Sequence, residues 1–371
     1  MIKILTVVGA RPQFIKASVL SRILASGTHG LSEVMVHTGQ HTDMNMSGGF
    51  FQELNIPAPK HQVKLTATGP LGRCGEMLAA LEPIVREESP DAILVYGDTD
   101  STVAGAWVAA RLNLKLIHVE AGLRSFDRGM PEEINRIATD HWATHLCCPT
   151  RHAVEQLAKE GVQDGSVQRV AAVGDLQCAA ALDAVKLHRP EMATDAHLGQ
   201  VVLTMHRPAN VDESEVLSSW FAAIHQALEK RKLRAVFPIH PRTQNTCREL
   251  WGETDWKNRL RQWRIDPVEP MGYLDLMRFV ESAPLVLTDS GGLQKEAFVL
   301  QTGCLVLRPV TEWVELVEMG KVRCVNSPSD LAEEWSQIQN HLCAEDWPKN
   351  DVYAAVGAGE RLAETLSQWL C

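Results

Sequence analysis

The chain contains short apolar runs that end in glycine, proline or small polar residues and lead into helix-forming segments. The clearest example is APLVLTDSGGLQKEA at 283–297. Its apolar run at 285–287 includes a β-branched residue, which is typical of a strand buried in a parallel sheet. The Asp-Ser pair at 289–290 suits a helix N-terminus, and the Gly-Gly pair at 291–292 permits a sharp turn. The stretch therefore predicts a strand, a turn and an opening helix.

Such a turn is suited to an anionic ligand. Unpaired N–H groups at the positive end of a helix dipole are a common binding site for phosphate. Ser290, Gly291 and Gly292 are therefore candidate phosphate contacts, and Glu296, about one turn into the helix, is a candidate ribose ligand. On this stretch alone, an ordinary strand-to-helix connection is the alternative.

The start of the chain repeats the pattern. A predicted strand at 2–8 ends at Gly9, and Pro12 suits a first helical turn. Arg11 lies at the tip of this turn and Lys16 follows about one helical turn later, so both could face an anion; two solvated cations are the alternative. Gln40 lies in a polar loop after the predicted strand at 34–37, where ligand contacts are common.

Three carboxylates follow in the first half of the chain. Predicted strands at 92–96 and 114–119 are followed by Asp98 and Glu120, and Glu132 lies in the first turn of a predicted helix that begins at Pro131. Ligands of open α/β sheets bind beyond the carboxyl ends of the strands. The helix dipole partly explains Glu132. For each acid alone a structural role is a reasonable alternative, but three acids at one sheet edge favour a functional site.

The second half has strands predicted at 201–205 and 235–239. They are followed by His206 and Arg207 and by His240 with a nearby arginine, residue types that can neutralise a diphosphate. Residues 186–199, with a proline and mixed charge, are predicted to link two domains. The sequence therefore predicts an α/β fold of two doubly wound halves whose ligand edges could face across a cleft.

Composition excludes several classes of protein. A chain of 371 residues favours two domains, and a net charge of -10 argues against a general nucleic-acid binder. Nine scattered cysteines without a CxxC pair indicate free thiols in a reducing compartment. No signal peptide and no run of about 18 apolar residues is evident, so we expect a cytoplasmic protein without a membrane segment. We expect no metal site, because His141, His145 and His152 lack a carboxylate or thiol at ligand spacing.

Familiar catalytic motifs are also missing from the sequence. It contains no P-loop, full GxGxxG, GxSxG or HExxH motif, which argues against an NTPase, a Rossmann dehydrogenase, a serine hydrolase and a zinc protease.

Together the motifs resemble those of the non-hydrolysing UDP-N-acetylglucosamine 2-epimerase family. They span almost the whole chain in the expected order. The matching pieces are GARPQFIK (9–16), HTGQH (37–41), YGDTDST (96–102), HVEAGLRS (118–125), MPEEINR (130–136), HRPAN (206–210), HPRT (240–243), TDSGGLQKEA (288–297) and TEWVE (311–315).

The resemblance implies two Rossmann-like domains, similar to the B-type (GT-B) glycosyltransferases, with the active site in the cleft. The first would comprise residues 1–170, joined by a C-terminal helix at 354–371, and the second, UDP-binding domain residues 171–353. It also implies a homodimer. The implied reaction inverts C2 of UDP-GlcNAc to give UDP-ManNAc by eliminating UDP and adding it back to a 2-acetamidoglucal. Nothing is oxidised overall, so no metal or redox cofactor is expected.

The resemblance also implies roles for individual residues. Asp98, Glu120 and Glu132 match the acid/base positions, and His206 matches a fourth residue close to the chemistry. The implied UDP and substrate contacts are Arg11, Lys16, Gln40, Ser290, Gly291, Gly292 and Glu296.

Some motifs point to a branch of the family that acts on UDP-2,3-diacetamido-2,3-dideoxyglucuronate. These are MPEEINR with the nearby Thr-Asp-His at 139–141, NMSGGFF (45–51) and TEWVE. The segment at 69–75 departs from that branch. The same C2 inversion on the diacetamido sugar is therefore an alternative. A GT-B glycosyltransferase, a hydrolysing relative and a non-catalytic sugar-nucleotide sensor are the others.

Overall fold

A computed structural model describes residues 1–40, 51–187, 198–342, 347–348 and 352–371. The chain forms two compact units, residues 1–180 with 350–371 and residues 181–349. The first unit includes a strand at Arg169–Ala172, which crosses the expected boundary at residue 170. The predicted linker at 186–199 and the NMSGGFF segment at 45–51 lie largely outside the described residues.

The first unit contains a seven-stranded parallel sheet in the order β3-β2-β1-β4-β5-β6-β7. The order reverses between β1 and β4, the switch point at which ligands bind in open α/β sheets. The strands are β1 (Ile2–Val8), β2 (Leu31–His37), β3 (His61–Gln62), β4 (Ala92–Tyr96), β5 (Lys115–Val119), β6 (His145–Cys148) and β7 (Arg169–Ala172).

Helices connect these strands, and prolines in the first turn help to set where several of them begin. Pro12, Pro70 and Pro131 each lie at the first or second helical position. The helices are α1 (Arg11–Leu24), α2 (Pro70–Glu88), α3 (Asp100–Arg111), α4 (Pro131–Trp142) and α5 (Arg151–Lys159). The next helix, α6 (Leu176–Leu187), follows β7 and begins in the first unit and ends in the second.

The second unit contains a six-stranded parallel sheet in the order β10-β9-β8-β11-β12-β13, with its switch point between β8 and β11. Its strands are β8 (Val201–Thr204), β9 (Ala235–Pro238), β10 (Ile265–Val268), β11 (Val286–Thr288), β12 (Cys304–Val306) and β13 (Val322–Cys324). The sequence did not predict β10, because it carries Pro267, a residue that sheets tolerate mainly at edge strands such as this one.

The helices of the second unit follow the same strand-to-helix alternation. They are α7 (Pro208–Val211), α8 (Ser214–Arg231), α9 (Pro241–Trp251), α10 (Trp256–Gln262), α11 (Tyr273–Ser282), α12 (Gly291–Val299), α13 (Val314–Glu318) and α14 (Leu331–Gln339). The predicted fold class, α/β with two doubly wound, Rossmann-like units, is confirmed.

The last helix, α15, spans Ala358–Leu370 and belongs to the first unit. The expected start at residue 354 was wrong, because Ala354 and Gly357 have φ of 44° and 71° and so lie in the left-handed region that interrupts a helix. Gly359 packs against α1: a Cβ there would lie 2.6 Å from side-chain atoms of both Val19 and Ile23. This glycine therefore serves close helix packing.

Bilayer-spanning helices are absent from the described ranges, none of which contains a helix both long enough and apolar enough.

Candidate active site

The turn between β1 and α1 packs tightly against the neighbouring strand ends. The side-chain oxygen of Gln13 accepts a hydrogen bond from the N–H of Gly9 (2.8 Å), and its amide donates to the carbonyl of Tyr96 at the end of β4 (2.9 Å). A Cβ at Gly9 would lie 2.0 Å from the hydroxyl oxygen of Thr38 and 2.1 Å from that of Ser101. Only glycine allows this approach, which brings the ends of β1, β2 and β4 together.

Gln40 forms part of this edge. Its side-chain oxygen accepts hydrogen bonds from the backbone N–H (3.0 Å) and hydroxyl (2.5 Å) of Ser101 in the first turn of α3, and its carbonyl accepts one from Arg73. Gln40 thus holds the helix that follows Asp98. Arg11 is half-buried at the first residue of α1.

Lys16 and Glu120 form a largely buried ion pair at the same edge. A Cβ at Gly97 would lie 3.1 Å from a carboxylate oxygen of Glu120, which places this acid beside the turn that carries Asp98. The backbone φ of Glu120 is 73°, a left-handed conformation that costs energy for any residue with a side chain. Strain of this kind concentrates at functional sites.

Asp98 is held by α4. Its carboxylate pairs with the guanidinium of Arg136, and its backbone carbonyl accepts a hydrogen bond from Asn135 (2.9 Å). Burial would lower the pKa of Arg136, but the negative charges of Asp98, Glu120 and Glu133 raise it above its ordinary value. The guanidinium therefore stays charged beside the acids.

The two consecutive glutamates of α4 have different surroundings. Glu133 is buried and accepts hydrogen bonds from the backbone N–H groups of Ser125 (2.9 Å) and Phe126 (3.0 Å). Burial would raise its pKa, but these bonds and Arg136 hold it below the ordinary value. Glu132 is exposed and has no hydrogen-bond partner among the described residues. Glu133 therefore anchors a loop, whereas Glu132 is available to a ligand.

A buried histidine, His118, contacts the backbone of the turn that contains Gly97 and Asp98. The imidazole of His118 lies 2.8 Å from the carbonyl of Gly97 and 2.7 Å from the carboxylate of Asp140. Burial would raise the pKa of Asp140, but His118 and Arg124 lower it. This network fixes the backbone directly after β4, at Gly97.

In the second unit, the fully buried Asp289 holds the turn after β8. Its carboxylate accepts hydrogen bonds from the backbone N–H groups of His206 (2.9 Å) and Arg207 (2.8 Å) and from the side chain of Asn210 (3.2 Å). The Nδ1 of His206 lies 3.3 Å from the same carboxylate. The pair at 289–290 was expected to supply N-cap chemistry: Ser290 is the N-cap residue, whereas the oxygens of Asp289 are occupied by this neighbouring turn.

Ser290 is the N-cap residue of α12, although its side chain makes no capping hydrogen bond. The next residue, Gly291, is closely covered: a Cβ there would lie 2.3 Å from a carboxylate oxygen of Glu312, and its carbonyl accepts a hydrogen bond from the indole of Trp313 (2.9 Å). Arg308 in turn pairs with Glu312 at 3.0 Å. Gly291 and Gly292 open the helix, as predicted.

The remaining predicted residues lie on α12 and at the start of α9. Glu296 is buried and accepts a hydrogen bond from the hydroxyl of Tyr273 (3.0 Å). His240 is the N-cap of α9, and its Nδ1 accepts a hydrogen bond from the N–H of Arg242 (3.1 Å). The ring centroids of His206 and His240 are 5.6 Å apart, so the two predicted histidines meet.

Sequence reasoning did not single out Arg136 or Gln13, and it did not predict the contacts that Asp289 makes. Arg136 had a detectable signal, because a residue three positions after Glu133 on a helix faces it. Gln13 also had one, because a glutamine three residues after the N-cap can accept a hydrogen bond from the N-cap backbone; only its bond to Tyr96 depends on a neighbouring strand. The contacts of Asp289 had none, because its partners follow a neighbouring strand.

Comparisons with known proteins agree with one another. A family model described as UDP-N-acetylglucosamine 2-epimerase matches residues 25–367. The UDP-2,3-diacetamido-2,3-dideoxy-D-glucuronate 2-epimerase of Pseudomonas aeruginosa is 38% identical over 99% of both chains. The UDP-N-acetylglucosamine 2-epimerase of Methanocaldococcus jannaschii is 38% identical over 86% of this chain and 87% of its own.

Similarity extends to solved structures. The crystal structure of the M. jannaschii enzyme in complex with UDP-GlcNAc and UDP has a TM-score of 0.85 and 34% identity, covering 99% of this chain and 100% of that one. Family model, sequence relatives and structure all cover most of the chain. The chain therefore belongs to the UDP-N-acetylglucosamine 2-epimerase family, whose named members are isomerases.

Proposed function

We propose that this protein inverts C2 of a UDP-2-acetamido sugar, converting UDP-GlcNAc to UDP-ManNAc. In this reaction the C2 proton is removed, UDP leaves C1, and the resulting 2-acetamidoglucal is reprotonated on its other face before UDP adds back. The observation that carries the proposal is family membership over residues 25–367, combined with the acids at the edge of the first sheet.

The first unit would supply the acid/base groups. A C2 hydrogen is weakly acidic, so its removal needs a positioned proton acceptor. Asp98 and Glu120 each form an ion pair with a cation of the first unit, which holds their carboxylates in place at this edge. Glu132 is exposed on the neighbouring helix and is the third candidate. Arg11, Lys16 and Gln40 are proposed substrate contacts at the same edge.

The second unit would bind UDP. Departure of UDP places negative charge on the diphosphate, which fixed donors can stabilise. Ser290, Gly291 and Gly292 begin α12, where backbone N–H groups suit phosphate. His206 is the proposed fourth catalytic residue. The other proposed contacts are Arg207 and His240 for the diphosphate and Glu296 for the ribose.

A second substrate has its own support. The P. aeruginosa relative acts, by its name, on UDP-2,3-diacetamido-2,3-dideoxy-D-glucuronate, and it aligns with 99% of this chain. The alternative is therefore the same C2 inversion on a sugar with a 3-acetamido group and a C6 carboxylate.

Proton NMR in D2O distinguishes these possibilities. The protein is incubated separately with UDP-GlcNAc and with the diacetamido uronate. Deuterium at C2 of UDP-GlcNAc together with a UDP-ManNAc signal supports the first substrate, and exchange of the uronate alone supports the second. Absence of exchange with both sugars contradicts the epimerase proposal.

The cellular setting is also part of the proposal. We propose a cytoplasmic homodimer that supplies an activated sugar for polysaccharide biosynthesis. Sedimentation velocity at micromolar concentration should give a mass of about twice the 41.0 kDa of the chain. A single species at the monomer mass would contradict the dimer.

A further inference from the structure

We propose that Arg136 is a positioning residue that aims the carboxylate of Asp98 at the substrate. This role rests on the proposed function, because it concerns the proton transfer assigned there to Asp98. It adds a residue that acts through Asp98 and need not contact the sugar itself.

The guanidinium of Arg136 forms ion pairs with two carboxylates, those of Glu133 and Asp98. One guanidinium nitrogen donates to Glu133 at 2.7 Å, and another pairs with Asp98. Glu133 is itself fixed by the backbone N–H groups of Ser125 and Phe126. The exposed fraction of the side chains rises from 1% at Glu133 to 14% at Arg136 and 28% at Asp98. The chain of contacts therefore runs from the buried interior to an acid that solvent and ligands can reach.

The backbone of the Asp98 turn has separate supports. Asn135 donates a hydrogen bond to the carbonyl of Asp98 (2.9 Å), and the ring of His118 lies 2.8 Å from the carbonyl of Gly97. The turn therefore does not need Arg136 to keep its shape. What Arg136 controls is the direction of the Asp98 side chain, which is the part that would exchange a proton with C2.

The planar guanidinium is the group that this geometry requires. Two nitrogens of one rigid fork reach Asp98 and Glu133 together, which fixes the angle between the two carboxylates. A lysine has a single ammonium on a flexible stem, so it would restore the charge without the angle. Misdirecting a catalytic acid lowers the rate of the chemical step more than substrate binding.

The test compares Arg136→Met, Asp98→Asn and the double variant in the full-length protein. The readouts are kcat and KM for C2 epimerisation and the Kd of UDP by calorimetry. Arg136→Met should lower kcat by about 10- to 100-fold and leave KM and the UDP Kd within about 2-fold. Because both act through one carboxylate, the double variant should be no slower than Asp98→Asn.

Two further variants separate positioning from folding. Arg136→Lys should recover only part of kcat, and added guanidinium should raise the kcat of Arg136→Ala without changing that of Asp98→Asn. Arg86→Met is the matched control, because Arg86 forms an exposed pair with Glu82 on α2; its kinetics should equal those of the wild type.

Several outcomes would overturn the role. Wild-type kcat in Arg136→Met would do so, as would rate losses at Arg136 and Asp98 that multiply in the double variant. If Arg136→Met does not fold, failure of guanidinium to rescue Arg136→Ala decides against the proposal. A wild-type protein that exchanges neither UDP-sugar would overturn the proposed function itself, whereas an active wild type with an equally active Arg136→Met overturns only this inference.

Discussion

The ammonium of Lys16 on α1 pairs with the carboxylate of Glu120, a residue 104 positions away that follows β5 in a left-handed backbone conformation. Both side chains are nearly buried, so neither charge has much solvent around it. The pair therefore connects α1 to the residue that follows β5, an acid that we propose takes part in catalysis.

Removing one partner of this pair should cost more than removing both charges. Lys16→Met leaves the Glu120 carboxylate without its cation and should destabilise the first unit by about 3–5 kcal/mol. Adding Glu120→Gln removes that unpaired charge and should recover much of the loss. Urea unfolding of the single and double variants measures the difference. Simple addition of the two single losses would contradict the predicted coupling.

Asp289→Asn should loosen the turn that carries His206 and Arg207. The asparagine has one oxygen where the carboxylate has two, and its amide would face other donors. We expect a loss of about 1–3 kcal/mol in the free energy of unfolding and weaker UDP binding by calorimetry. Asp212→Asn is the control, because its exposed pair with Arg242 should contribute less than about 1 kcal/mol. Equal stability of the two variants would refute this account of Asp289.

Gly359→Val should push α15 away from α1. Its Cβ would overlap Val19 and Ile23, and overpacking of this kind costs about 1–3 kcal/mol. Gly75→Ala on α2 is the control, since nothing beyond its chain neighbours and the backbone of its own helix lies within 4 Å of the added methyl group, and alanine favours helix by up to about 1 kcal/mol. The midpoint temperature of thermal unfolding should therefore fall for Gly359→Val and rise for Gly75→Ala. A midpoint that also rises for Gly359→Val would show that α15 tolerates the larger side chain.

His145 should make the protein sensitive to mild acid. Burial, with the positive charges of Lys115 and Arg169, lowers its pKa to about 4 in the folded chain, whereas the pKa of a histidine in an unfolded chain is about 6.5. Its neutral form therefore contributes stability that is complete above about pH 6.5 and is lost as pH falls towards 4. Between about pH 6.5 and about pH 4, the urea midpoint should therefore fall less for His145→Gln than for the wild type.

The exposed His152 provides the control for this experiment. His152→Gln makes the same replacement where the side chain is open to solvent, and its urea midpoints are measured over the same pH range. An unchanged pH slope in His145→Gln would contradict the assignment.

The sequence predicted the strands well because their apolar runs are short and continuous. The runs at 2–8 and 92–96 coincide with β1 and β4. It failed where a local signal was weak or misleading: Pro267 obscured an edge strand, and favourable helix residues before Ala358 hid two left-handed positions.

Prediction of the candidate site was limited in a different way. Motif positions located Asp98, Glu120 and His206 at strand ends, which the sheet topology alone can place. Their partners were not predictable, because the Arg136 guanidinium and the Asp289 carboxylate reach them only through tertiary packing. Residue types identify the chemistry that a site can perform, whereas the contacts that orient those residues depend on the folded chain.

The place of α15 has a consequence for how the protein is made. This helix packs on α1, the helix that follows β1, yet it is synthesised only after residues 181–349. During translation the first unit therefore stays incomplete until the whole second unit has been synthesised. Over that time the side of α1 that packs against α15 remains uncovered. The half that carries Asp98 and Glu120 can therefore be completed only after the second unit has been synthesised.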